Sequence, residues 1–498
     1  MDITFTKSQA SDSALHVWCT NYSQEYFRFC LQQAIERAAR TNHEVLASTT
    51  LAVALVDPLR VMSAVERLGL GQCIFWARPS EQRALVGTGV ATAIETTGPS
   101  SVATAATAWR EIQQHAVVSR PEASVPVHTS GPVLVGGFAF DPLNAATDLW
   151  QDFPDGLLVL SHLLFHCDEQ CAGLTINVML RADSDCEQLA NAVEEQLERL
   201  STLVLQTPVQ LDTASEQSDD LLVEDLLSPA RWMDQVAAAV QTIRGGAFEK
   251  VVLARSVQCT SPEQPFSPVS TLQRLRENYP DAYVFAIQRG ERYFMGATPE
   301  RLVCSADGQV QTMALAGSAP RGASAEEDLR LGIELLHSAK NQGEHHFVVS
   351  TIRQALASLC SRVWVADAPR LLKLRNIQHL QTPIAGDLLP GHSILEAIDI
   401  LHPTPAVGGY PRLPALAFIR EHEGLDRGWY AGPIGWIGAE GNGEFAVALR
   451  SALVDGKQAT LFAGCGIVAD SVPESEYAES CLKLQVMLRG LGGEERTH

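Results

Sequence analysis

The sequence is short of positive charge. Its 37 lysines and arginines stand against 58 aspartates and glutamates, a formal net charge of −21. Such a chain repels polyphosphate, which argues against nucleic acid or an anionic membrane as its main partner. Any anion it takes must meet positive charge concentrated locally. Long apolar runs are also missing: "LAVALV" (51–56) and "GLLVLSHLLF" (156–165) fall well short of a membrane span. The opening residues, "MDITFTKSQASDSALHVWC", show no basic stretch followed by an apolar one, so no secretory leader is read there. The eleven cysteines are scattered and odd in number. The closest pair, Cys167 and Cys171 in "CDEQC", has the spacing of neither a zinc knuckle nor a redox motif. Reduced thiols and a cytoplasmic location are the expectation. Absent too are a P-loop, a glycine fingerprint leading from strand to helix, an H-E-x-x-H pair and a nucleophile elbow. His345 and His346 are adjacent, and adjacent helical residues face different ways, so no shared metal is expected between them.

What is present is a long, ordinary globular chain. Its 498 residues, 46% hydrophobic and 19% charged, allow several domains or one large assembly. No internal repeat is visible. Helical spacing of apolar residues marks 23–40 and 190–204, and "WMDQVAAAVQTIRGG" (232–246) is a helix ending on two glycines. "PVLVGGFAFDP" (132–142) reads as a strand broken by Gly136 and Gly137. The polar, turn-rich segment 206–220 is the best linker candidate. Beyond it, "FEKVVLARSVQC" (248–259) is strand-like, and Asp307-Gly308 between two strand-like runs predicts a hairpin. Residues 326–359 form one long helix or two joined ones. Residues 428–468 read as a meander of three or four strands with turns at 440–443 and 455–456. A meander covered by long helices predicts a large, mostly antiparallel α+β fold.

Several residues sit oddly for decoration. Lys250 opens a strand whose neighbours are nearly all apolar, so it either snorkels to water or is held in a dry cleft. Glu300 follows a proline at a turn, where glutamates are ordinarily solvated. Glu344 lies four residues from Lys340, a spacing that suits a plain surface pair. Arg450 stands among apolar strand residues. Gly464 and Gly466 lie inside a strand, where glycine costs stability and often marks close approach of a ligand. In "PESEYAESCLKL" (473–484), Glu474, Glu476, Glu479 and Lys483 are either a wet helix face or an inward-pointing set. Glu476, Glu479 and Lys483 fall on one face.

Nine collinear stretches decide between these readings. They are "FEKVVLARS", "GATPERLV", "ALAGSAPRG", "KNQGEHHFVV", "QHLQTPIAG", "LHPTPAVGG", "WYAGPIGW", "FAVALRSAL" and "FAGCGIVADSVPESEYAESCLKL". Together they resemble the chorismate-utilising enzymes, which include anthranilate synthase large subunits, aminodeoxychorismate synthases, salicylate synthases and isochorismate synthases. The likeness is strong over residues of about 230–490, and "FWARP" (75–79) and "GGFAFDP" (136–142) extend it weakly toward the N-terminus. Lys250 resembles the water-adding members. Ala316 stands where aminodeoxychorismate enzymes carry a lysine. "LHPTPAVGG" looks like the isochorismate synthases. Gly317-Ser318 departs from the usual Gly-Thr but keeps the hydroxyl.

The resemblance implies an anthranilate-synthase-type fold, two large mostly antiparallel sheets packed face to face with helices outside. Residues 1–215 would contribute to the same body as the catalytic region 216–498. It implies Mg²⁺-dependent, reversible conversion of chorismate, a small dianion, into isochorismate. Water adds at ring C2 and the C4 hydroxyl leaves, with Lys250 as base and Glu300 as acid. Glu344 and Glu479 would hold Mg²⁺, with Glu476 behind them. Arg450 and Lys483 would hold substrate carboxylates, and Tyr430 would donate a hydroxyl. Gly317 and Gly464 would offer backbone N–H groups, and Thr404 and His379 would line the pocket. A monomer or weak homodimer is expected. The alternatives are a salicylate synthase, which also expels pyruvate, and a non-catalytic chorismate binder. Free lysine titrates near 10.4 and glutamate near 4.3, so each must move about 3 pH units toward neutrality, about 4 kcal/mol apiece. Desolvation drives both the useful way, whereas direct pairing drives both the wrong way. A dry cleft without a Lys250–Glu300 ion pair is therefore predicted.

Overall fold

The computed structural model describes residues 13–19, 22–119, 125–126, 129–144, 146–206, 221–373 and 377–493. The linker candidate, apart from Gln206, lies outside the described residues, as does the side chain of Lys340. Among the described residues the strands form one sheet of 13 and one of 10. Val45–Val53 and Val117–Ser119 pair in parallel. The remaining named pairings are antiparallel, as the meander and the Asp307-Gly308 hairpin predict. At that hairpin both turn residues have positive φ, 52° and 78°, the geometry that suits Asp-Gly between twisted strands.

Both sheets draw on the two ends of the chain. Cys73–Arg78 pairs with Tyr283–Arg289 in the larger sheet, and Val133–Phe138 pairs with Pro433–Gly438 in the smaller. Period-two alternation sorts side chains between two cores. From Tyr283–Arg289, Tyr283, Phe285 and Ile287 enter the core shared by the two sheets. Val284 and Ala286 enter the core between the larger sheet and its covering helices. The two sheets thus face each other over one apolar layer, with helices outside. Among the described residues no helix is long and apolar enough to cross a membrane. All eleven cysteines are free.

Two details depart from the sequence reading. Val133–Phe138 runs unbroken through Gly136 and Gly137. A Cβ at Gly136 would lie 1.9 Å from the Leu157 carbonyl oxygen, and one at Gly137 would lie 2.7 Å from that of Pro433. These glycines admit neighbouring backbone; they do not end the strand. The second departure is the meander, whose four strands divide between sheets. Pro433–Gly438 and Gly443–Val447 belong to the smaller sheet, Ser451–Asp455 and Gln458–Ile467 to the larger. Arg450 therefore lies in no strand. It sits where the chain passes from sheet to sheet, in left-handed conformation (φ 49°).

Candidate active site

A second crossing runs beside the first. Arg292–Thr298 lies in the larger sheet and Arg301–Ala306 in the smaller, with Glu300 between them. The crossings are laced together: the Val447 N–H donates to the Glu300 carbonyl (2.9 Å), and the Ala297 N–H to that of Arg450 (3.1 Å). The Thr298 hydroxyl donates to the Val447 carbonyl (2.6 Å). Paired strands leave no freedom at these points, so the acid and the arginine are held by backbone.

Lys250 opens the strand Lys250–Thr260, in register with Gln458–Ile467 from Val251 opposite Ile467 to Thr260 opposite Gln458. Its side chain lies across Gly466, where an added Cβ would come within 2.9 Å of Lys250 Cε. It does not snorkel. The same strand brings Gly464 under Tyr430, whose hydroxyl would stand 3.1 Å from a Cβ there. Tyr430 is buried and stacks on Phe462 at 5.2 Å between ring centres. The two in-strand glycines thus form a floor beneath a lysine and a tyrosine.

The electrostatics join the remaining residues to this recess. Burial pushes the Lys250 ammonium below its ordinary value, against the pull of Glu344 and Glu300, with the Lys483 charge adding to the fall. Burial pushes the Glu300 carboxyl up, against Lys250, Arg450 and Lys483. Both residues are half-buried. Among the described residues neither makes an ion pair or a side-chain hydrogen bond, and the same holds for the Arg450 guanidinium and the Tyr430 hydroxyl. Burial draws Arg450 below its ordinary value while Tyr430, Cys465, Glu479 and Glu300 hold it up. The buried Thr404 hydroxyl also has no partner. Lys250, Glu300, Arg450 and Tyr430 therefore keep their polar atoms free of protein partners around one recess, where a polar ligand can meet them.

His379 lies opposite Ser318 in Ile377–Leu388, beside a bulge in Gln309–Pro320 at which Gly317 takes φ +73°. Its ring hydrogen-bonds the Gly317 backbone, and burial, Lys250 and Lys483 hold it below the usual histidine value. Glu344 is exposed on the Ala339–Leu356 helix, yet its charge reaches Lys250. His345, next to it, is buried on Thr382 (2.7 Å), and His346 is exposed; the two face apart.

On the helix Pro473–Gly490, Glu474 is exposed, Glu476 half-buried and Glu479 exposed toward the cleft. Lys483 pairs with Glu479 (2.6 Å) and donates to the Gly464 carbonyl (2.8 Å). Gly464 thus presents its carbonyl to the Lys483 ammonium. Ligand atoms of Cys465, Glu476 and Glu479 lie within 4.8 Å of one another. Glu344 is outside this cluster. The Cys465 thiol donates to the Glu476 carbonyl (3.3 Å), and burial pushes it up to about 12. Burial raises the Glu476 carboxyl, which Ser471 steadies by donating a hydrogen bond (2.7 Å), while the charge of Glu479 raises it further.

Sequence reasoning missed one ion pair behind the recess. Arg427 donates to both oxygens of Glu423 (2.6 Å each), with the side chains 3% and 1% exposed. Arg427 also donates to the Val407 carbonyl (3.1 Å) and the Val252 carbonyl (2.8 Å). Glu423 accepts from the Ala254 N–H (2.7 Å). The pair ties the Thr404 loop to the Lys250 strand. Opposite charges four apart in "EHEGLDRG" were the available signal, but that spacing usually means a wet surface.

An amine and a carboxyl in one recess, each shifted by burial toward its neutral form, with an arginine nearby, are suited to acid–base chemistry on an anionic substrate. Comparison with known proteins agrees. Residues 33–492 match the family described as chorismate binding enzyme, and the chain belongs to that family. It is 37% identical over 475 residues to isochorismate synthase MenF of Bacillus subtilis, covering 95% of this chain and 99% of that protein. It is 39% identical over 469 residues to the salicylate biosynthesis isochorismate synthase of Pseudomonas aeruginosa, covering 94% and 95%. The solved menaquinone-specific isochorismate synthase MenF of Escherichia coli superposes with a TM-score of 0.72 at 26% identity, covering 93% of this chain and 99% of that one.

Proposed function

We propose that this protein is an isochorismate synthase, with Lys250 the general base and Glu300 the general acid. The observation that carries the reading is their opposed perturbation in one recess without an ion pair between them. Lowering favours the neutral amine, the form that takes a proton from water, and raising favours the protonated carboxyl, the form that gives one to a departing hydroxide. Lys250 takes the proton as the water oxygen bonds to ring C2. The double bonds shift, the bond from C4 to its hydroxyl oxygen breaks, and Glu300 protonates that oxygen. Arg450 receives a substrate carboxylate, which its guanidinium grips with two parallel hydrogen bonds. Tyr430 and Thr404 donate hydroxyls, and Gly317, His379 and Gly464 line the ring's surroundings. Lys483 exchanges its partners in the protein for a substrate carboxylate.

Glu476 and Glu479 suit a hard divalent cation, since their oxygens converge and the nearby Cys465 thiol is kept protonated. Glu479 and Glu344 would hold Mg²⁺ with Glu476 behind, and the bound ion supplies positive charge against a substrate carboxylate. Residues 1–215 and 216–498 act as one body, a reading supported by the strand pairs they share. A cytoplasmic enzyme, monomeric or weakly dimeric, fits this reading.

The test is to incubate the purified protein with chorismate and Mg²⁺ and identify the product by chromatography and NMR. Isochorismate without pyruvate supports the assignment. Salicylate with stoichiometric pyruvate replaces it by a salicylate synthase, and no consumption of chorismate reduces the protein to a binder.

A further inference from the structure

We infer that Arg255 is the positioning residue that sets the rotation of the carboxylate-bearing helix Pro473–Gly490 against the strand that carries Lys250. The inference rests on the reading of Glu476 and Glu479 as metal-holding groups.

Side chains alternate along Lys250–Thr260, and its pairing with Gln458–Ile467 has no slip, so Arg255 leaves the face opposite Lys250. It is 3% exposed. Its Nε donates to the Ser480 hydroxyl (2.7 Å) and one terminal nitrogen to Cys481 Sγ (3.0 Å). The other terminal nitrogen pairs with Asp225. The guanidinium lies 4.5 Å over the ring of Tyr477, whose hydroxyl donates to the same aspartate (3.1 Å). Asp225 ends the strand Leu222–Asp225, which pairs with the Arg255 strand. One planar group therefore joins two strands and a helix and meets three residues of that helix.

Those three, Tyr477, Ser480 and Cys481, form an i, i+3, i+4 stripe. It runs one residue, about 100°, from the Glu476–Glu479–Lys483 stripe. Gripping one stripe fixes the direction of the other. With side-chain tips roughly 6 Å from the axis, a 20° rotation moves a carboxylate by roughly 2 Å. That is a whole metal–oxygen bond length for an ion that demands near-ideal geometry. The mechanism above makes no use of Arg255. Its buried charge, placed on the far side of the strand from substrate, is accounted for by this grip.

The experiment measures Mn²⁺ binding to the full-length protein by the loss of the free-ion EPR signal, without substrate or turnover. Variants R255M and R255K and the double variant S480A/C481A are compared with the parent. R255M and S480A/C481A are expected to weaken Mn²⁺ about tenfold and to raise the Mg²⁺ concentration for half-maximal rate equally. KM for chorismate at saturating Mg²⁺ should also rise, by about threefold, because Lys483 turns with the same stripe. R255K is not expected to rescue, because a point ammonium cannot reproduce the planar fork. Should R255M not fold, the double variant, which leaves the Arg255–Asp225 pair in place, decides. Parent-like Mn²⁺ affinity in a folded variant with a lowered melting temperature would make Arg255 merely structural and overturn the inference. Failure of the parent itself to bind Mn²⁺ would instead overturn the metal reading beneath it.

Discussion

Replacing Lys250 by methionine should make the protein inactive and more stable at the same time. Methionine fills nearly the same volume over Gly466 and carries no charge. Loss of a positioned base costs roughly 10²- to 10⁴-fold in kcat, about 3–5 kcal/mol of barrier. The stability gain follows from linkage. Burial holds the folded pKa of Lys250 below its unfolded value. The folded state therefore resists a proton that the unfolded chain binds, and stability is lost as pH falls from the unfolded value toward the folded one. At pH 7 most of that penalty is present; near pH 10.5 little remains, since the unfolded lysine is itself losing its proton. A fully buried ion costs several kcal/mol. A base working near neutral pH must sit roughly 3 units below the free lysine value, so about 4 kcal/mol is the expected gain at pH 7. In a chain of this size that is about 4 °C in Tm. The assay is turnover of chorismate beside thermal and urea unfolding of parent and variant at pH 7 and pH 10.5. Activity within tenfold of the parent, or a stability change of the same size and sign at both pH values, would refute the reasoning.

The pH profile of kcat/KM should be bell-shaped, rising as Lys250 loses its proton and falling as Glu300 loses the one it must donate. Glu300→Gln should remove the alkaline fall along with most of the rate. Its stability gain should be present at neutral pH and vanish below about pH 4, where the unfolded glutamate is protonated too. Arg450→Ala should raise KM for chorismate about 100-fold with little effect on Tm, and Arg450→Lys should recover only part of it; initial-rate kinetics decide. Glu423→Gln leaves Arg427 as a buried charge without its ionic partner, so urea denaturation should show a loss of about 3 kcal/mol.

Local rules sufficed wherever a feature was made by neighbours in the chain. The Asp307-Gly308 turn and the Gly245 cap of the helix Pro229–Arg244 follow from backbone preference and were legible. Gly136 and Gly137 were misread because local preference treats glycine as an interruption. Here the determinants are carbonyls beside where a Cβ would stand, that of Leu157 on the next strand (1.9 Å) and that of Pro433, remote in sequence (2.7 Å). Arg450 was taken for a strand residue because the apolar run around it continues on both sides; nothing in the run says that the strands on either side join different sheets.

The sequence alone determined the inventory: an excess of negative charge, helices and strands in their order, and nine stretches in the order of one enzyme family. What only the tertiary structure decided is which charges lose their water. The elevated glutamate from position 300 and the uncommitted arginine from 450 lie on two neighbouring passages between sheets, and the depressed lysine from 250 meets them from the start of a strand in the larger sheet. A side chain's proton affinity depends on the solvent and charge around it, and those are set by residues hundreds of positions away.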